Sequence, residues 1–142
     1  MTIDPRIELE HFKRVLKDYN YNALKIQQLN KELERIDYEL DSVSGVDPSK
    51  DTQGDSYSSG AKSNRWYELL EEEDSIIKER DEFKRKNQNI DRILSMMPKE
   101  EETLIRDAYI NYKTVQKAAE HYHYNPYYMY EKIDAILIKI FK

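Results

Sequence analysis

Two stretches of this chain repeat a seam residue every three or four positions for more than four heptads, and that spacing admits little besides long helices. In the first, Phe12, Val15, Tyr19, Asn22, Ile26, Leu29, Leu33, Ile36, Leu40 and Val43 alternate steps of three and four. In the second, Trp66, Leu69, Glu73, Ile76, Arg80, Phe83, Asn87, Ile90, Leu94 and Met97 do the same, and Leu70 and Ile77 widen the stripe. Such a repeat keeps one line of a helix turned toward a partner, whereas a strand needs a period of two. The spacing predicts a helix from about Pro5 to Val43 and a second from Ser63 or Asn64, either of which can cap it. Asn22 is the polar member of the first seam, either a tolerated defect or a residue that fixes register.

Charge follows the same plan. Glu71, Glu72, Glu73 and Asp74 come early in the second helix and Lys84, Arg85 and Lys86 late, the sign that suits the helix dipole. The basic run can touch nucleic acid, although a solvated face is its commoner use. Between the two helices, residues 44–63 hold all three glycines and show no period, so they read as a flexible linker. Gly60-Ala61-Lys62-Ser63 lacks the preceding strand that a phosphate-binding loop requires. Two comparable helices so joined should fold back on one another, since neither buries its seam alone; the same seams could instead dimerise.

Several function classes are excluded or disfavoured. With no cysteine, neither a disulfide nor a thiolate metal site nor a Cys nucleophile can form. His11, His121 and His123 make no convincing metal set, because a His-x-His pair on a helix points its rings about 200° apart. The carboxylates occur as surface runs without an apolar pocket to shift their pKa, so no catalytic residue, cofactor or metal is expected. No apolar run reaches the roughly 18 residues of a membrane span, and the polar N-terminus lacks the pattern of a signal peptide. A cytoplasmic protein without membrane contact is the expectation. Charged residues make up 36% of the chain and the net charge is −5, unlike a stand-alone nucleic-acid binder with its basic excess. If the chain binds DNA, the contact is local or a partner supplies part of the affinity.

Past Pro98 the pattern shortens. Pro98 suits the first turn of a new helix, Glu100, Glu101 and Glu102 favour its positive end, and Leu104, Ile105, Ala108 and Tyr109 form its apolar face. Asn111-Tyr112-Lys113 makes a break, and Thr114 can cap a short helix through His121. Tyr122-His123-Tyr124 forms a turn, after which Asn125 caps a last helix with Pro126 at its first position. Met129, Ile133, Ile136, Leu137 and Ile140 are its predicted buried stripe. Short helix, tight turn and capped helix make the arrangement of a helix-turn-helix.

The stretch MPKEEETLIRDAY resembles the Leu-Pro-x-x-Glu opening of sigma-factor region four: Met97 stands for the Leu, Pro98 and Glu101 match, and Leu104, Ile105 and Tyr109 fill apolar positions. The stretch TVQKAAEHYHYNPYYMYEKIDAILIKI is similar to the later part of that family's pattern, with Ala119 at the close approach of two helices and Asn125 in place of the capping Ser. The resemblance covers about a third of the chain. The whole layout looks like the ArpU-like late-gene regulators of phages infecting Gram-positive bacteria. That resemblance implies a transcription regulator that binds double-stranded promoter DNA together with host RNA polymerase, in a bacterial host cell. Two departures stand out. His123 stands where the family usually has Gly in a left-handed turn, and Lys132 is the only base on a recognition helix rich in tyrosine.

The expected architecture is therefore all-α: a long antiparallel helical hairpin over residues 1–97, coiled-coil-like and able to homodimerise, then a three-helix module over 98–142. The candidate DNA-contacting residues are Lys113, Thr114 and Lys117 for phosphates, and Asn125, Tyr127, Tyr128, Tyr130 and Lys132 on the last helix. Tyrosines can pack on thymine methyls or hydrogen-bond phosphates, but they are equally at home in a protein interface. A protein-interaction module that keeps the fold without binding DNA is the alternative. A small DNA-packaging subunit is a third reading, disfavoured because such proteins usually place the DNA module first.

Overall fold

A computed structural model describes residues 4–44 and 56–141. These residues are all-α, with no strand among them. The helices are α1 (Pro5–Ser44), α2 (Ser56–Ser95), α3 (Lys99–Arg106), α4 (Val115–Tyr122) and α5 (Pro126–Ile138). A π-helical turn (Asp107–Asn111) continues α3, and a 3-10 turn (Lys139–Phe141) continues α5. No helix among the described residues is long and apolar enough to cross a membrane.

The predicted linker is shorter at both ends than expected. Ser44 closes α1, and α2 begins at Ser56, so neither Ser63 nor Asn64 starts it. The physical reason is that extending a formed helix adds a hydrogen bond for each residue fixed, so a helix need not end at its last seam residue. The remainder of the linker expectation, 45–55, lies outside the described residues.

The chain divides into two compact units, Met1–Ala23 with Arg85–Lys142, and Leu24–Lys84. In the first, the core gathers Leu9, Phe12 and Leu16 from α1, Ile90 and Leu94 from α2, and the apolar faces of α3, α4 and α5. Leu16, Ile105, Met129, Ile133 and Leu137 are fully enclosed. Leu9 and Leu16 lie off the predicted seam of Phe12, Val15 and Tyr19; α1 uses a second apolar stripe here to cover the short helices. Phe12 meets Phe141 edge to face at 5.9 Å. The Lys13 ammonium rests against Asp134 of α5. Burial pulls the Lys13 pKa down, but Asp134 and Glu10 outweigh it and raise the value overall.

Two buried amides of this unit are bonded to each other. Asn22 and Asn87 are both buried; Asn22 Nδ2 donates to Asn87 Oδ1 at 2.9 Å, and Asn87 Nδ2 donates to the Tyr19 carbonyl at 3.1 Å. A seam shifted by one turn would part these amides, at about 1–3 kcal/mol for each left unpaired, so the pair favours this register. The Tyr19 hydroxyl donates to Asp91 at 3.0 Å, and Arg106 bridges Asp91 and Glu102 at 3.0 and 2.9 Å.

The second unit pairs the later part of α1 with the earlier part of α2. Asn30 meets Arg80, Arg35 meets Glu72 and Glu39 meets Arg65, so the two segments run antiparallel. Its buried residues are Leu29, Ile36, Leu69 and Ile76, flanked by Leu33, Leu40, Val43 and Phe83. Trp66, predicted on the seam, is instead exposed and sits edge-on to Tyr67. Trp66 lies one turn before Leu69, the first buried residue of α2 in this unit among those described.

Pro98 and Ile140 also depart from expectation. Pro98 is the residue before the first turn of α3, with an extended ψ of 143°, and Lys99 opens the helix. Ile140, predicted buried, is 37% exposed, because the switch from α-helix to 3-10 turn rotates it off the stripe of Ile133, Ile136 and Leu137.

Candidate nucleic-acid interface

The face carrying the candidate residues is assembled by two left-handed turns on either side of α4. The first comes after the π-helical turn. There the Tyr112 amide donates to the Asp107 carbonyl at 3.0 Å, five residues back, and Lys113 takes φ 69°. Widening a helix in this way misaligns its carbonyls. Asn20 of α1 answers by donating its side-chain amide to the carbonyls of Ile110 at 3.0 Å and Tyr109 at 3.4 Å. Thr114 then caps α4, its Oγ1 accepting from the Lys117 amide at 3.2 Å.

The second turn ends α4. His123 adopts φ 58° and ψ 35°, in the left-handed region. The Tyr124 amide donates to the Ala119 carbonyl at 2.8 Å and the His123 amide to Glu120 at 3.2 Å, the double bond of a Schellman ending. Left-handed geometry in a residue with a Cβ costs about 1–2 kcal/mol. Asn125 caps α5, its Oδ1 accepting from the Tyr127 amide at 2.9 Å, and Pro126 opens the helix. The buried stripe Met129, Ile133, Ile136 and Leu137 anchors α5. That anchoring turns Tyr127, Tyr128 and Tyr130 outward, 75%, 49% and 45% exposed.

The candidate residues thus sort by what occupies them. The side chains of Thr114 and Asn125 are engaged as caps. Lys132 is half-buried, its ammonium 5.4 Å from the Tyr124 ring centre and 5.9 Å from that of Tyr128. Lys113 and Lys117 are exposed. Tyr127 and Tyr130 point outward with no ring partner among the described residues.

Beside these lies an arrangement that sequence reading did not anticipate. Tyr112 stacks on His121 at 4.7 Å and 27°, and His121 meets Tyr122 edge to face at 5.3 Å. Tyr122 stacks on Tyr124 at 5.6 Å and 17°, and Tyr124 meets Tyr128 edge to face at 5.1 Å. Five rings therefore form one continuous run from the π-helical turn, across α4 and its turn, to α5. Asp107 pins its middle: it accepts from the Tyr122 hydroxyl and, through its other oxygen, from Asn111 Nδ2 at 2.7 Å. Burial first, and the Asp107 carboxylate next, push the Tyr122 phenol up to about 12. The available signal was density, for seven of the twelve tyrosines fall between residues 109 and 130.

Electrostatically the segment is balanced. Residues 98–142 carry seven Lys or Arg and seven Asp or Glu, and Arg106 and Lys139 are held in ion pairs. A groove of about 430 Å³ beside the ring run is lined by Glu100, Leu104, Tyr122, Tyr124, Lys132 and Ile136. Among the described residues no three His, Cys, Asp or Glu side chains gather to hold a metal. What the face offers is stacking surface and hydroxyl groups with a few cations, a set suited to recognition. No family model, curated protein or solved structure matches the chain.

Proposed function

We propose that this chain is a transcription regulator that binds double-stranded promoter DNA through α4 and α5, read as a helix-turn-helix of the sigma region-four type. In this reading α1 and α2 form a helical hairpin available to RNA polymerase or to a second copy. The observation that carries it is the exposure of Tyr127, Tyr128 and Tyr130 on a helix capped by Asn125 and entered from a tight left-handed turn. α5 offers hydroxyls and apolar ring edges to a groove, and Lys113 and Lys117 supply phosphate contacts from the preceding turn and helix. With a neutral segment and a net charge of −5, affinity is modest and depends on a partner.

Selection from a random duplex library, followed by titration of the enriched sequence at several salt concentrations, tests this. Enrichment of a defined site with salt-dependent binding is the expected result. Absence of any enriched site, both alone and with bacterial RNA polymerase, sinks the proposal.

A second reading, a protein-interaction module on the same fold, is favoured by the groove between Glu100 and Lys132 and by the exposed tyrosines. It predicts that the tyrosine variants abolish capture of a host protein while no duplex is bound.

A further inference from the structure

The run of rings has a use that duplex recognition through α5 leaves out. Duplex binding is dominated by neutralised phosphates, and this segment has no surplus of positive charge to neutralise them. Single-strand binding adds stacking of unpaired bases on aromatic side chains to its phosphate contacts, and every base has a face to offer. The rings here are interleaved with cations: Lys113 comes directly after Tyr112, Lys117 lies one turn before His121 on α4, and Lys132 stands over Tyr124 and Tyr128. His121 and Tyr128 are exposed and so have ring surface free for a base, while Asp107 and the neighbouring rings hold the interior of the run in place. A platform fixed in advance loses little side-chain freedom when a ligand docks.

We infer that the run from Tyr112 to Tyr128 binds single-stranded DNA, stacking unpaired bases on His121 and Tyr128 while Lys113, Lys117 and Lys132 meet the phosphates. This rests on reading the face as a DNA surface and adds the form of DNA it takes: a strand whose bases are exposed, as where a duplex has opened.

The test uses the full chain and fluorescence anisotropy with three labelled probes: a short oligothymidylate, an abasic strand of equal length, and a duplex of that length. The thymidylate strand should bind at least about tenfold more tightly than the abasic strand, since both carry the same phosphates and only one carries bases. Tyr128→Ala and His121→Ala should each weaken thymidylate binding about tenfold, with helicity unchanged, and Tyr128→Phe should retain it. Equal affinity for thymidylate and abasic strands overturns the inference, as does Tyr128→Phe losing as much as Tyr128→Ala. If the duplex is still bound in that case, the proposed function stands without it. If none of the three probes is bound, the inference falls, and the proposed function is decided by the duplex selection with polymerase.

Discussion

The two units are built on one repeat and end with very different interiors. The unit that holds α3, α4 and α5 encloses sixteen buried apolar residues among those described, while the unit spanning Leu24–Lys84 encloses four, so a single lost side chain removes a far larger share of the second core. The repeat itself is the same in both. What differs is the residues beside it: Leu9 and Leu16 give α1 a second stripe in the first unit, whereas in the second the same heptad positions hold Asn30 and Asp37. Their polar contacts differ in kind as well. The first unit joins Asn22 to Asn87 as a neutral amide pair; the second sets Asp37 against Glu73, two carboxylates. A heptad pattern thus determines that helices pair, and the residues off the seam determine how firmly.

The largest effect should come from the larger core. Leu16→Ala is expected to lower unfolding free energy by about 2–5 kcal/mol, read from denaturant titration. A change below about 1 kcal/mol would show that α1 is not integral to that core. Ile36→Ala in the other unit should act locally, speeding amide exchange in 24–84 while leaving protection around Ile133 and Leu137 intact.

Next in size is the amide pair. Asn87→Ala leaves the buried Asn22 amide without its acceptor and should cost about 1–3 kcal/mol, whereas the double replacement of Asn22 and Asn87 by Leu should recover most of it. If the double variant is as unstable as the single one, the pair is not a register device.

His123→Gly relieves a left-handed residue and should raise stability by up to about 1 kcal/mol, visible as a higher melting temperature. A fall would mean that the imidazole makes a contact beyond its backbone role.

The smallest effects concern pH. The Tyr122 phenol is raised from its ordinary 10.0 to about 12 by burial and by Asp107. Its folded form therefore favours the proton, and the associated stability is complete below pH 10 and lost as pH climbs from about 10 to about 12. Tyr122→Phe should flatten stability across that window. Glu73 is likewise raised, by burial first and then by its hydrogen bond and charge contact with Asp37. That contribution is present below the usual glutamate range and lost as pH rises through the raised value, so Glu73→Gln should slightly stabilise the unit of Leu24–Lys84 at neutral pH. An unchanged melting profile would show the carboxylates are too solvated to matter.

Much of the fold was legible because its signals are periodic or local. The seams located α1 and α2, and the Thr114 and Asn125 caps, Pro126 and the turn at His123 located α4 and α5 within a residue or so. Leu9 and Leu16 escaped because a search for one stripe overlooks a second, and Ser56–Ser63 escaped because helix extension needs no pattern. The run of rings was not legible as an assembly. Tyr112, His121, Tyr122 and Tyr124 become one surface only after the π-helical turn and the left-handed turns bring separate segments together, and no spacing rule encodes that.

The central claim is that the α4–α5 face binds DNA through its tyrosines. Salt titration of an enriched duplex against the native chain and the double variant Tyr127→Ala, Tyr130→Ala tests it most directly. The account predicts salt-dependent binding by the native chain and, in the variant, an affinity about tenfold or more lower with unchanged helicity. Equal binding by the two proteins, or none by either with polymerase present, would contradict it.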